Sequence, residues 1–272
     1  MCDAIVINSV KERMLSRRQF FKGSAAFAAG ATIISATTTP AMAAGHSRVV
    51  DLTHTFSEGF PTWGGASGLS REQAFNFADN GFNLFNMSVN EHAGTHVDAP
   101  LHFSADGASI DEVPVGDLVC PLCVVDISAR AADDPDARMT PDDLKAWIAA
   151  NGDIPDGACV AMYSGWDTKT AGDGFRNADG DGVMHFPGVH VEAAQMLLEE
   201  TGAMSIGVDT LSIDFGPSQD FVTHYAWLPE GRYAIECMAA LKEVPAAGAT
   251  LVVGAPKVLG GTGGQARIFA MV

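Results

Sequence analysis

Three of the eight histidines in this chain fall within eleven residues, in the segment Asn90-Glu-His92-Ala-Gly-Thr-His96-Val-Asp98-Ala-Pro-Leu-His102. Imidazoles interleaved with a carboxylate form a donor set suited to zinc, manganese or iron. Spacing tests which backbone could gather them. On a helix His92 and His96 share a face, but Asp98 swings away and Pro100 breaks the turn. On an extended chain the even positions 92, 96, 98 and 102 can all point to one side. Gly94 and Pro100 interrupt that chain, so an irregular strand or loop projecting from a sheet edge is expected. A lone histidine is usually a satisfied core or surface residue; four such groups in this pattern point to a metal.

Other motif-like segments carry less. Asn177, Asp179, Asp181 and Gly182 imitate the start of a calcium loop, but Gly188 stands where a bidentate Glu is required, which leaves a solvated loop. Gly260-Gly-Thr-Gly-Gly264 precedes a strand pattern rather than a helix, so it reads as a tight turn and not as a phosphate cradle. Cys120-Pro-Leu-Cys123 has redox or zinc-knuckle spacing, yet it runs into the buried-strand pattern Val124-Val-Asp-Ile127 and has no matching second pair. Cys120, Cys123, Cys159 and Cys237 are therefore expected as buried structural thiols.

The elements that must position the histidine segment alternate between strand and helix. Strands are predicted over 48–53, 83–90, 120–127, 158–163, 204–208, 250–253 and 266–272. One helix is capped by Thr140, opened by Pro141 with Asp142 and Asp143 in its first turn, and stopped by Gly152. Its Leu144, Trp147 and Ile148 share a face. A second helix runs over 191–200. There is no internal repeat or linker, so a single α/β domain with a mixed sheet is expected over residues 44–272.

Residues 1–43 read as something to be removed. Ser16-Arg-Arg-Gln-Phe-Phe-Lys22 precedes an uncharged run of small residues and then Pro40-Ala-Met-Ala-Ala44. Basic residues, an apolar region and an Ala-x-Ala site make an export signal, and the paired arginines resemble the twin-arginine type. A periplasmic protein is expected, with no membrane span after cleavage. The whole chain has 16 basic against 33 acidic side chains, a net charge of −17. That balance excludes a nucleic-acid binder, which needs clustered Lys and Arg, and disfavours an anionic membrane surface. A small-molecule partner is left.

His92-x-Gly94-Thr95-His96-x-Asp98-x-Pro100-x-His102 resembles the motif of the cyclase family of metal-dependent hydrolases, which includes bacterial kynurenine formamidases and isatin hydrolases. The resemblance continues through Gly165-Trp166, Phe186-Pro-Gly188, Gly207-Val-Asp-Thr-Leu-Ser-Ile-Asp214 and Gly260-Gly-Thr-Gly263, and so covers nearly all of residues 44–272. It implies a swivelling β/β/α fold and a homodimer or homotetramer. His92, His96 and Asp98 match the family's first-metal ligands, and His102 its catalytic histidine. In two-metal members Asp98 would bridge to a second ion, for which His224 and Glu236 match the remaining ligands. One or two divalent ions, manganese or zinc, are thus implied.

The chemistry expected of such a site is amide hydrolysis by activated water. His102 would take the proton from the water and return it to the departing nitrogen. Thr95 and Asp209 are expected to orient ligands from behind. Trp63, Phe103, Trp166, Phe186, Tyr225 and Trp227 lie near the motif segments and could line an aromatic pocket or belong to the core. Export favours a cyclic amide such as isatin. The alternatives are an arylformamidase acting on N-formylkynurenine, or a periplasmic metal- or small-molecule-binding protein without catalysis.

Overall fold

The structure is a computed structural model that describes residues 48–272; the export signal lies outside the described residues. Its strands are β1 (Val49–Asp51), β2 (Leu69–Phe75), β3 (Leu84–Val89), β4 (His96–Asp98), β5 (Val119–Asp126), β6 (Arg138–Met139), β7 (Cys159–Tyr163), β8 (Gly188–Val189), β9 (Ser205–Val208), β10 (Tyr233–Glu236), β11 (Ala249–Gly254), β12 (Gly263–Gln265) and β13 (Arg267–Met271). The helices are α1 (Phe77–Asn80), α2 (Ser128–Asp133), α3 (Pro141–Asn151), α4 (Val191–Glu200) and α5 (Val222–Trp227).

Nine strands form one mixed sheet in the order β1-β13-β11-β5-β7-β9-β10-β4-β12. The central pairs β5–β7, β7–β9 and β9–β10 are parallel, and the outer pairs are antiparallel. This is the mixed α/β architecture expected. Strand periodicity sends alternate side chains of β5 to opposite faces. Cys123 and Val125 pack with Leu144 and Trp147 of α3 and Leu197 of α4, while Leu122 and Val124 pack with Leu251 and Ile268. The sheet therefore has a core on each face, as its near-continuous apolar central strands require. All four cysteines of the described residues are free and buried.

Helix α3 begins and ends where its local signals say. Thr140 and Asp143 form a capping box, Pro141 opens the first turn, and Gly152 at φ 92° closes the last. The Asp143 carboxylate also accepts from the Arg130 guanidinium at 2.6 and 3.0 Å, which ties α3 to α2.

Residues Ser70–Ser88 fall in a different compact unit from the rest of the described residues. In it β2 and β3 pair as a two-stranded ribbon, and the Phe75 and Phe82 rings lie 5.1 Å apart. Phe77, Phe85 and Met87 are left 59%, 43% and 65% exposed.

The histidine segment is an irregular strand interrupted at Gly94 and Pro100, as expected. Only His96–Asp98 is a strand, and it lies between β10 and β12 rather than at the sheet edge. Gly94 turns the chain into it at φ 69°, where an added Cβ would sit 2.7 Å from the Phe56 ring. A 3-10 turn over Pro100–His102 carries the chain out.

Candidate metal centre

Strand β4 sends His96 and Asp98 to the same side, and both are buried. His92, in the turn before it, places Nδ1 2.7 Å from Asp98 Oδ1. Antiparallel pairing sets Glu236 of β10 directly opposite His96. His224 enters from α5. Its Nε2 lies 3.2 Å from Glu236 Oε1 and 3.5 Å from Asp98 Oδ2, while His96 Nε2 lies 3.2 Å from Asp98 Oδ1 and 3.4 Å from Glu236 Oε2. The structure thus gathers His92, His96, Asp98, His224 and Glu236 around one point.

Each imidazole is held by its far nitrogen. His96 Nδ1 lies 2.8 Å from the Gly94 carbonyl, His224 Nδ1 lies 2.7 Å from Asp214 Oδ2, and His92 Nε2 lies 2.9 Å from Thr262 Oγ1. A carbonyl or carboxylate behind a ring fixes the proton there and leaves the facing nitrogen's lone pair aimed inward. Asp214 has a second task. The residue at the N-cap of α5, Phe221, sits at φ 49° and contributes no capping side chain. The Asp214 carboxylate takes that place, accepting from the Thr223 and His224 N–H groups at 2.9 and 3.1 Å.

The electrostatics are those of a donor set suited to a cation. His96 Nε2 and Asp98 Oδ2 are buried and have no hydrogen-bond partner. Burial drives the His96 and His224 imidazoles down, but the surrounding carboxylates outweigh it and hold both well above their ordinary value. Burial likewise opposes ionisation of Asp98, yet contact with His224, His92 and His96 holds its carboxyl well below the usual range. Unpaired donors of imidazole and carboxylate type, converging in a buried space, fit a divalent metal ion. Two groups of ligand atoms lie within 4.8 Å of one another: His92, His96 and Asp98, and then Asp98, His102 and His224. The second group includes His102 where the family pattern placed Glu236. Glu236 remains beside both His96 and His224, and its Oε1 also accepts from the Ile213 N–H at 2.9 Å.

His102 comes off the 3-10 turn with its ring stacked on His92 at 3.7 Å and 6.0 Å from His224. Its pKa is pushed down to about 4, chiefly by burial. An imidazole that is uncharged at neutral pH is therefore held against the donor cluster.

A cavity of about 400 Å³ opens onto this cluster, walled by Trp63, Phe103, Leu211 and Phe221, with Thr62, Asn90 and Ser212 among its polar lining. No Lys or Arg among the described residues lines it. Of the aromatic residues expected near the site, Trp63 and Phe103 reach the cavity, while Trp166, Phe186 and Trp227 are core and Tyr225 is 61% exposed. Phe221 was not anticipated from sequence. Thr95 and Asp209 do not orient the ligands. The Thr95 hydroxyl donates to the Cys237 carbonyl and accepts from the His54 N–H, bracing two backbone segments. Asp209 accepts from the Ser164 N–H and hydroxyl and the Trp166 N–H, and burial pushes its pKa up to about 6. Thr262 and Asp214 do what was expected of those two; both lie within segments that carried the family resemblance.

Residues 50–215 match the Cyclase family model. The chain belongs to the Cyclase family. It is 36% identical over 197 residues to the isatin hydrolase of Roseibium aggregatum, covering 68% of this chain and 73% of that protein. It is 28% identical over 188 residues to the kynurenine formamidase of Salinibacter ruber, covering 68% and 78%. Among solved structures, isatin hydrolase A from Labrenzia aggregata, bound to benzyl benzoate, superposes with a TM-score of 0.78 at 34% identity over 83% of this chain and 93% of that one. An isatin hydrolase bound to the product analogue thioisatinate gives 0.77 at 30% identity over 82% and 92%. Residues 14–33 match a twin-arginine translocation signal, which marks this Cyclase family member for export to the periplasm. It is an exported metal-dependent amidohydrolase.

Proposed function

We propose that the protein opens the ring of an aromatic cyclic amide, an isatin-like lactam, with His102 as general base and then general acid. The observation that carries this is the His102 imidazole, stacked on His92 beside the donor cluster and lining the same aromatic-walled cavity. His92, His96 and Asp98 would hold a first divalent ion, manganese or zinc. His224 and Glu236 would hold a second together with Asp98. An ion bound there supplies Lewis acidity and brings the pKa of water toward about 7.

The remaining steps belong to the chain. Trp63, Phe103 and Phe221 receive the planar ring by edge and face contacts. His102 accepts the proton of the attacking water and delivers it to the ring nitrogen as the C–N bond breaks, which yields an aniline and a carboxylate. His224 is kept oriented by Asp214 and His96 by the Gly94 carbonyl, so the donor geometry needs no reorganisation during the reaction.

N-formylkynurenine is the less suited substrate, because its amino-acid head brings an ammonium and a carboxylate besides the reacting amide into a cavity that no Lys or Arg among the described residues lines. The deciding experiment follows ring-opening of isatin by absorbance, against deformylation of N-formylkynurenine, after loading with manganese or zinc. Lactam opening supports the reading. Deformylation alone overturns it in favour of an arylformamidase, and metal uptake with turnover of neither substrate overturns both.

The same reading includes a homodimer or homotetramer. The exposed Phe77, Phe85 and Met87 of the β2–β3 unit supply apolar surface of the kind such contacts use. Light scattering on the purified protein tests it, and a monomer at working concentration refutes it.

A further inference from the structure

The Gly260-Gly-Thr-Gly-Gly264 run lies against the histidine segment rather than forming a free turn. Thr262 meets His92 on one side and Glu91 on the other. Its hydroxyl donates to Glu91 Oε2 at 2.5 Å, and its backbone N–H reaches the same oxygen at 3.2 Å. The glycines permit this approach. A Cβ at Gly261 would stand 2.9 Å from Glu91 Oε1, and one at Gly263 would stand 2.7 Å from His92 Cε1 and 2.4 Å from the Val97 carbonyl oxygen. Gln265 pins the other side of the segment, its amide donating to the carbonyls of Asn90, Glu91 and Ala93.

We propose that Glu91 and Thr262 form a proton-locking relay that sets the tautomer of His92. A threonine hydroxyl carries one proton. A carboxylate oxygen can only accept, so the hydroxyl proton goes to Glu91, and the Thr262 oxygen is left to accept from His92 Nε2–H. With the proton held on Nε2, Nδ1 keeps its lone pair for an ion held together with Asp98; without an ion, the 2.7 Å contact between Nδ1 and Asp98 Oδ1 needs a proton on Nδ1. Reverse the hydroxyl and His92 Nε2 becomes the acceptor, which moves the ring proton to Nδ1 and blocks that lone pair. Glu91, which is in hydrogen-bond contact with no member of the donor cluster, is thus a positioning residue for it. The inference rests on the proposal that His92 binds an ion, and it adds how the chain prepares that residue to do so.

The test is divalent-metal affinity of the full-length mature protein, measured by competition with a chromophoric chelator using zinc alone. Glu91→Ala removes the acceptor and frees the Thr262 hydroxyl to turn toward His92. Thr262→Val removes the hydroxyl, and Thr262→Ser keeps it. Partners behind a ligating histidine typically contribute about 10- to 100-fold in metal affinity. The expected result is a loss of that size in E91A and T262V, wild-type affinity in T262S, and unchanged urea midpoints for metal-free E91A and T262S. In the zinc-loaded wild type and T262S, nitrogen-15 spectra place the His92 proton on Nε2. Should T262V fail to fold, E91A alone decides. Wild-type affinity in E91A overturns the relay. A wild type that takes up no zinc overturns the metal reading, and the relay with it, and is told apart by that control.

Discussion

Replacing Asp214 by Asn separates the two tasks the structure gives that carboxylate. Oδ1 accepts from the Thr223 N–H at 2.9 Å and the Ser218 hydroxyl at 3.3 Å; Oδ2 accepts from the His224 N–H at 3.1 Å and faces His224 Nδ1 at 2.7 Å. An Asn side chain has one acceptor and one amino group, and neither orientation suits the site. With the amino group at the Oδ2 position, the His224 N–H is left facing a donor. The ring must then move its proton to Nε2, aiming it at Glu236 and Asp98. With the amino group at Oδ1, the Thr223 N–H loses its partner and α5 loses its cap. A buried donor left unmatched costs about 1–3 kcal/mol, and loss of a cap about 1 kcal/mol. The metal-free variant should therefore be destabilised by about 1–3 kcal/mol, which lowers Tm by about 2–4 °C per kcal/mol for a domain of this size. Metal affinity at the His224 side should fall about 10- to 100-fold, while the His92–His96 side, held by Gly94 and Thr262, keeps its affinity. Urea unfolding with chelator present measures the first effect, and stepwise metal titration the second. An Asp214→Asn protein with the wild-type urea midpoint and wild-type uptake would refute both the capping and the orienting argument. Loss of stability alone would leave only the cap.

Four further outcomes are expected. His102→Ala should lower turnover by about 10²- to 10⁴-fold, the usual contribution of a positioned acid–base group, with metal content measured by elemental analysis unchanged. His96→Ala should instead lose metal, because it removes a buried nitrogen that nothing else in the site replaces. Trp63→Ala removes a ring whose centroid is 5.3 Å from Phe221; at about 0.5–1.5 kcal/mol per aromatic contact, KM for an aromatic lactam should rise about 2- to 10-fold with little change in kcat. Asp143→Asn should lower stability by about 1 kcal/mol at pH 7. Burial raises the Asp143 carboxyl, but Arg130 and Thr140 outweigh it, so its folded pKa lies below the ordinary value. Its contribution is then complete above the unfolded value, about 3.9, and is lost as pH falls through the lower folded value. Urea curves for wild type and variant should converge below about pH 4.

What could be read in the sequence depended on whether the stabilising partner was local. Helix α3 was legible end to end because Thr140, Pro141, Asp143 and Gly152 carry its whole boundary chemistry within one segment. Strands β5, β7 and β9 were legible because both faces are buried and their apolar runs follow from that. Helix α5 was not. It is short, its N-cap residue is in the left-handed region, and the carboxylate that caps it comes from Asp214, outside the helix. The histidine segment was legible as chemistry and as an irregular strand broken at Gly94 and Pro100; its place was not, because β4 is paired on both sides by β10 and β12 rather than lying at the sheet edge.

The same distinction runs through the metal centre itself. His92, His96, Asp98 and His102 come from one stretch, so their types and spacing announce a donor set before any fold is known. The groups that make them competent lie elsewhere. Of the three partners behind the ligand imidazoles, only the Gly94 carbonyl is local; Thr262 and Asp214 arrive through β12 and through the turn before α5. Thr95 and Asp209 were plausible in their place because they share the right segments and residue types, yet their hydrogen bonds go to backbone groups and to Ser164. A donor is specified by residue type; a supporting contact is specified by direction. Direction exists only once β4 has been paired on both sides, by β10 carrying Glu236 and by β12 beside Thr262. The sheet register, more than the motif, therefore decides whether the histidines face an ion with a lone pair or with a proton.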